Sequence, residues 1–189
     1  MVLIIGIAGA SGVIYGIRLL EKLSHIDDVE THLIISEIGE MIIKYETGLK
    51  IEDVKALANF SYDIRDIEAQ LSSGSFKREG MIIAPCTVKT MSAIANSYTD
   101  NLLTRAADVT IKEGKKLVLV IRETPLHIGH LRNLERLAEI GAIIMPPIPA
   151  FYYKPKTIQD IIDHTIGKIL DIFDMEHNLF QRWTGIPHE

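Results

Sequence analysis

The sequence predicts an α/β protein built on a mainly parallel sheet, and three observations carry that prediction. Short apolar runs alternate with amphipathic stretches of helix length along the whole chain, the pattern of repeated strand–helix–strand units. The strand runs are nearly continuous in Val, Ile and Leu, as strands covered on both faces require. A glycine-rich turn, Gly9-Ala10-Ser11-Gly12, joins the first run to the first helix; open parallel sheets bind ligands beyond such strand ends.

Taken in order, residues 2–8 form the first strand, an apolar run with no basic leader. Residues 12–23 form a helix beyond the glycine turn. Strand 31–35 ends at Ser36, next to helix 37–45, and a weaker strand lies near 60–64. Strand 81–84 meets Pro85, and Thr87 stands at the start of helix 88–95. Helix 101–113 leads into strand 117–121, which Pro125 stops soon after. Helix 128–139, strand 142–145 and helix 158–173 complete the pattern. Two segments break the rhythm. Residues 71–79 are rich in Ser and Gly and read as a flexible lid or contact loop. Residues 146–155 are proline-rich and aromatic, a stiff segment that fixes side chains in place. The whole chain, 1–189, is expected to be a single domain. Its tail, 174–189, carries Arg182-Trp183 and is expected to contact a neighbouring subunit.

The chain has 189 residues, enough for one sizeable core. A hydrophobic content of 47%, with 24% charged residues, is ordinary for a globular protein. No apolar run reaches the roughly 18 residues of a membrane span. Cys86 is the only cysteine, so neither an intrachain disulfide nor a cysteine-rich metal site is available. These features predict a reducing, cytoplasmic setting. The net charge of −5 argues against nucleic acid as the main partner.

Positive charge is nevertheless concentrated near one strand end. Arg105, Lys112, Lys115 and Lys116 precede the strand over 117–121, and Arg122-Glu123-Thr124-Pro125-Leu126 follows it. An acidic protein that gathers cations there is built to bind an anion. Glycines in the 9–12 turn let backbone N–H groups approach a phosphate, and Ser11 can cap the helix or donate to a ligand. Ser36, and Thr87 with Thr90, place further hydroxyls at helix starts on the same sheet edge.

An ordered set of motifs makes a resemblance specific. Gly9-Ala10-Ser11-Gly12, Ala84-Pro85-Cys86-Thr87, Arg105-Ala106-Ala107-Asp108-Val109, Lys112-Glu113, Arg122-Glu123-Thr124-Pro125-Leu126, Pro149-Ala150-Phe151-Tyr152 and Arg182-Trp183 follow one another along the chain. Together they resemble the UbiX-type flavin prenyltransferase family. The resemblance implies a Rossmann-like (flavodoxin-like) three-layer sandwich assembled as a homododecamer. It implies transfer of a dimethylallyl group from dimethylallyl monophosphate to reduced FMN, at N5 and then C6. The prenylated FMN would pass to a UbiD-type decarboxylase, and no metal, nucleic acid or membrane is involved.

Carried over position by position, the resemblance implies that Gly9, Ala10, Ser11, Ser36, Thr87, Val88, Lys89, Thr90 and Arg122 contact FMN. Arg105, Lys112, Arg122, Glu123, Tyr152 and Lys168 would surround the prenyl phosphate, and Trp183 would form a site wall. Glu123, Glu46, Ser11 and Lys112 would carry the catalysis. Because such sites lie between subunits, these groups need not come from one chain. Two departures stand out: Lys168 occupies a position where relatives carry arginine, and Thr87 replaces a serine.

Each motif also has a plainer reading. Arg122-Glu123 suits a helix-entry ion pair, and Arg105 with Lys112 a solvated helix stripe. Glu46 suits a surface carboxylate, Tyr152 and Trp183 packing or interface positions, and Cys86 a buried small residue. His127 and His130 lack a third ligand and make no metal site. Two other functions stay open at this point: an FMN-dependent decarboxylase of cysteine-bearing substrates, and a flavin carrier. The turn over 85–90 lacks the asparagine of such decarboxylases, and a carrier needs no cationic pocket.

Overall fold

The computed structural model describes residues 1–185, so the last four residues of the expected tail lie outside the described part. The chain falls into two compact units that divide after Pro146.

The first unit is a six-stranded, wholly parallel sheet in the order β3-β2-β1-β4-β5-β6. Its strands are β1 (Val2–Ile7), β2 (Glu30–Ile35), β3 (Phe60–Tyr62), β4 (Gly80–Cys86), β5 (Lys116–Ile121) and β6 (Ile143–Ile144). The order reverses direction at β1, which pairs with β2 on one side and β4 on the other. This is the Rossmann-like arrangement that the resemblance implies.

Side chains alternate across each strand, so the buried strands β1, β2, β4 and β5 serve two cores. Ile4, Ala8, Ile34, Met81, Ile83, Leu117 and Leu119 face one of them. They pack with residues of α4 (Val88–Ala95), α5 (Leu102–Lys112) and α6 (Ile128–Glu139). Helix α1 (Ile14–Leu23) packs on β1 and β4. The crossover from β1 to β2 through α1 and the crossover from β4 to β5 through α4 and α5 run in opposite directions along the sheet, and right-handed connections then put their helices on opposite faces. Two helices follow β2: α2 (Glu37–Thr47) and the short α3 (Ile51–Lys55).

The expected elements are present with small shifts, each with a physical cause. β4 runs past Ala84 through Pro85 to Cys86, and its pairing with β5 slips register between Ile83 and Cys86. Proline has no N–H for the ladder, so a central strand tolerates it only at such an irregularity. α3 is an addition to the expected set, because five residues are too few to show a helical period. β6 shortens to two residues.

The segment over 71–79 is pinned rather than free. Arg78 is only 2% exposed and lies within it. Its guanidinium donates to the carbonyl oxygens of Leu71 (3.0 Å), Ser73 (2.7 Å) and Phe76 (3.3 Å). Leu71 is buried on a 3-10 turn over Gln70–Ser72. Burial pulls the guanidinium below its ordinary value, and the nearby charge of Glu113 opposes that shift.

The second unit starts at Pro147 and contains α7 (Ile158–Ile172). A capping box opens this helix: the Thr157 hydroxyl accepts from the Asp160 N–H while the Asp160 carboxylate accepts from the Thr157 N–H. No helix among the described residues is long and apolar enough to cross a membrane.

Candidate active site

The first unit holds a cleft of about 780 Å³, within the usual range for cofactor pockets. It lies beyond the carboxyl ends of β1, β2 and β4, where the strand order reverses and doubly wound sheets bind ligands. Five residues expected to contact FMN line it: Gly9, Ser36, Thr87, Lys89 and Thr90. Ala10 and Ser11 follow Gly9 on the turn after β1, and Val88 lies between Thr87 and Lys89 at the start of α4.

Three helix N-termini meet at this cleft. Ser36 Oγ caps α2 by accepting from the Gly39 N–H at 3.0 Å. Thr87 Oγ1 caps α4 by accepting from the Thr90 N–H at 3.1 Å. Asn101 Oδ1 caps α5 by accepting from the Thr104 N–H at 3.0 Å. Capping uses lone pairs and leaves protons to give. The Ser36 O–H is still available, and Thr87 donates its own proton to Thr90 Oγ1 at 3.0 Å. Thr90 itself lines the cleft. Three positive helix ends, these hydroxyls and the exposed Lys89 make a donor set suited to an anionic, ring-bearing ligand.

Backbone approach is equally specific. A Cβ on Gly9 would sit 2.4 Å from Ile38 Cγ2, so only glycine lets the first turn pass this close to α2. Gly12 adopts φ +92°, a left-handed conformation that other residues rarely reach. The donor set, the close Gly9 approach and the cleft volume together fit FMN.

The Gly12 N–H donates to Glu46 Oε2 at 2.9 Å. The structure thus places Glu46, from the end of α2, at the turn that carries Ser11. The expectation that Ser11 can cap α1 is corrected: the helix starts at Ile14, its N-cap is Val13, and no side chain caps it. Two glycines and Ala10 put the turn outside helical register. Ser11 is instead exposed on that turn.

The cationic residues divide into two places. Arg122 directly follows β5, and its N–H donates to the Cys86 carbonyl at 3.2 Å. Glu123 is exposed; its carboxylate accepts from the Thr124 N–H at 3.0 Å and forms no ion pair with Arg122 among the described residues. The helix-entry ion pair is therefore not what this junction makes. Arg105 lies on the first turns of α5, near the cleft residues Asn101 and Thr104, and reaches Asp108 Oδ2 at 3.2 Å. Lys112 closes the far end of α5, about 15 Å along the axis from the helix start at 1.5 Å per residue. There it pairs with Glu113 next to Gly74. That ammonium lowers the Glu113 carboxyl below the usual range.

The second unit carries Tyr152, Lys168 and Trp183, and it brings Tyr152 and Trp183 together. A groove of about 410 Å³ is lined by Tyr152, Tyr153, Arg182 and Trp183, among others. Trp183 meets Tyr152 edge to face, with centroids 5.8 Å apart. Asp171 ties the tail to α7: it accepts from Arg182 Nη2 at 2.6 Å and lies 3.1 Å from His177 Nε2. Lys168 Nζ is 3.7 Å from the same carboxylate. The Arg182 bond, more than any other contact, holds the Asp171 carboxyl below its ordinary range.

Several lining residues are invisible in the sequence pattern. Ile64 and Arg65 reach the cleft from the loop after β3, and Arg65 Nε donates to Glu37 Oε1 at 2.9 Å across the rim. Asn96, Tyr98 and Asp100 come from the loop between α4 and α5. A strand order of 3-2-1 places the end of β3 on the same edge as β1, and that order is the signal that would have found Arg65.

Residues 1–182 match the family model described as Flavoprotein. The flavin prenyltransferase UbiX of Salmonella typhimurium is 55% identical over 185 residues, covering 97% of this chain and 98% of that protein. The UbiX of Thauera aromatica is also 55% identical, covering 98% and 95%. Among solved structures, a dodecameric FMN-dependent UbiX-like decarboxylase from Escherichia coli O157:H7 superposes with TM-score 0.96 at 46% identity, over 98% of this chain and all of that one. AnUbiX (PadA1) in complex with FMN and dimethylallyl pyrophosphate gives TM-score 0.96 at 45% identity, over 98% of each chain. The peptidyl-cysteine decarboxylase EpiD shares the fold alone, at 19% identity and TM-score 0.63.

Proposed function

The chain belongs to the flavoprotein family and, within it, to the UbiX-type flavin prenyltransferases; from that premise we propose that it transfers a dimethylallyl group from dimethylallyl monophosphate to reduced FMN. The observation that carries this reading is the cleft at the reversal of strand order, lined by the cap hydroxyls of Ser36 and Thr87 and by Gly9. The 55% identity to a flavin prenyltransferase over nearly the full length supports reading FMN as the ligand of that cleft.

Gly9, Ala10, Ser11, Ser36, Thr87, Val88, Lys89, Thr90 and Arg122 would hold the flavin. When bound, reduced FMN supplies the nucleophilic N5 and, for ring closure, C6. The chain's own residues handle the leaving phosphate. Arg105, Lys112, Arg122 and Lys168 supply fixed positive charge, which stabilises a monophosphate as it departs. Tyr152 donates its hydroxyl proton to a phosphate oxygen. Glu123, whose carboxylate accepts from the Thr124 N–H, protonates the leaving phosphate and later accepts a proton. Glu46, fixed by the Gly12 N–H beside Ser11, takes the proton lost at ring closure. Trp183 offers an aromatic face to the allylic cation. Fixed cations and a protein acid do the work that a metal does elsewhere, so no metal is required.

The separation of Lys112 from the cleft supports a site shared between chains. A homododecamer, the state of the E. coli relative, would let one subunit's α5 complete a neighbour's cleft, with the 174–189 tail in contact with another subunit. The product would pass to a UbiD-type decarboxylase. The lone, buried Cys86, whose thiol burial pushes up, suits a reducing cytoplasm.

The test is anaerobic incubation with reduced FMN and dimethylallyl monophosphate, followed by mass spectrometry of the extracted flavin. A protein-dependent gain of one dimethylallyl-derived unit is the expected result. Tightly bound but unchanged FMN, in parallel with a working prenyltransferase, would overturn the proposal.

A further inference from the structure

Behind Tyr152 lies a histidine to which neither the motifs nor the mechanism assigns a role. His164, on α7, is 9% exposed. It sits in an aromatic box: Tyr153 stacks on it at 4.9 Å with rings 2° from parallel, and Phe180 lies 4.5 Å away. Its Nε2 is 3.2 Å from the Tyr152 hydroxyl. The same tyrosine faces the groove shared with Trp183. The box leaves the imidazole little freedom to turn, so the Nε2 position is fixed by packing.

We propose that His164 is a positioning residue for the phosphate end of the prenyl donor, orienting the Tyr152 hydroxyl so that its proton faces the phosphate. This rests on the reading of Tyr152 as a phosphate contact. A phenol has one proton. If that proton is spent on the imidazole, Tyr152 presents lone pairs to an anion and repels it. If the imidazole Nε2–H donates to the Tyr152 oxygen, the phenolic proton is free for a phosphate oxygen. Only the second arrangement serves an anionic ligand, and phosphate binding selects that tautomer. His164 does not act through charge. Burial first, and then the ammonium of Lys168, keep its imidazole below the ordinary range, so it is neutral near pH 7. A neutral donor aligned by packing orients its partner without competing for the phosphate.

The test uses His164→Phe, which keeps an aromatic ring in the box, and His164→Gln, whose amide N–H reaches about as far as Nε2. Trp183 is the only tryptophan, so its fluorescence reports dimethylallyl monophosphate binding without turnover. His164→Phe is expected to weaken binding and raise KM roughly three- to tenfold, the size of one neutral hydrogen bond. His164→Gln should recover most of that loss. In a Tyr152→Phe background, His164→Phe should add nothing further, because its partner is gone. Wild-type binding by His164→Phe, or an undiminished loss in the Tyr152→Phe background, would overturn the proposal, the latter showing a packing role. These binding differences among the variants, together with a wild-type chain that transfers no prenyl group, would sink the function and keep the subsite.

Discussion

Among the described residues Glu123 has one hydrogen bond to the protein, from the Thr124 N–H, and it lies exposed in the lone chain. A carboxyl so lightly held is free to pass a proton. Glu123→Gln keeps shape and loses the acid. It is expected to lower prenyl transfer by about 10²–10⁴-fold, the usual contribution of a general acid, with FMN affinity nearly unchanged. Single-turnover mass spectrometry beside flavin titration checks both halves. At this scale, much of the site was legible. Ser36, Thr87 and Gly9 could be read because a hydroxyl or glycine at a strand–helix junction has few uses. The Glu46 bond to Gly12 spans 34 positions of sequence, and no local pattern announces it. Buried Arg78 was equally hidden, since an arginine in a Ser/Gly-rich stretch reads as solvated. Arg78→Met would take the Arg78 donor from the Leu71 carbonyl and leave the Ser73 carbonyl with the Phe76 N–H alone. That is expected to cost about 1–3 kcal/mol, the penalty of one buried unpaired group, seen as a lower urea midpoint. Cleavage within residues 71–79 by a dilute protease should rise with it.

At the scale of elements, the strands and long helices were legible because their periods run for many residues. The unforeseen pieces are those that sequence period cannot resolve: five-residue α3, two-residue β6 and the slip at Pro85. Nor did periodicity foretell how the tail is fastened to α7. There the Asp171 carboxylate clasps Arg182 and His177, and its proton affinity is lowered. A lowered carboxyl stabilises the folded form above its unfolded value, about pH 3.9, and that stabilisation is lost as pH falls through the lower folded value. The clasp should therefore hold at neutral pH and release only in strong acid. Trp183 emission is expected to shift to the red in that acid range. Asp171→Asn should show the shifted emission already at pH 7, while a flat profile in both proteins would deny the clasp any hold on Trp183.

For the whole molecule, the exposed apolar residues of α2 matter most. Met41 is 65% exposed and Tyr45 87%, four positions apart and so on one side of the helix. In the homododecamer proposed above, this face is expected to meet a neighbouring subunit. Met41→Glu with Tyr45→Glu is expected to yield smaller species in sedimentation. Prenyl transfer should fall with assembly if a neighbour's Lys112 completes the cleft, while flavin binding in the cleft itself persists. Full assembly of the double variant would show that this face lies outside any subunit contact. The same sheet that places the cleft also sets a timetable for folding. β1 is the first strand in the chain and stands between β2 and β4, yet β4 begins only at Gly80. During synthesis at about 5–20 residues per second, β1 waits roughly 2–10 s after β2 for its second neighbour. Through that interval a strand destined for the centre of the sheet has one unpaired edge. A nascent chain of this design needs shelter most before its centre has closed.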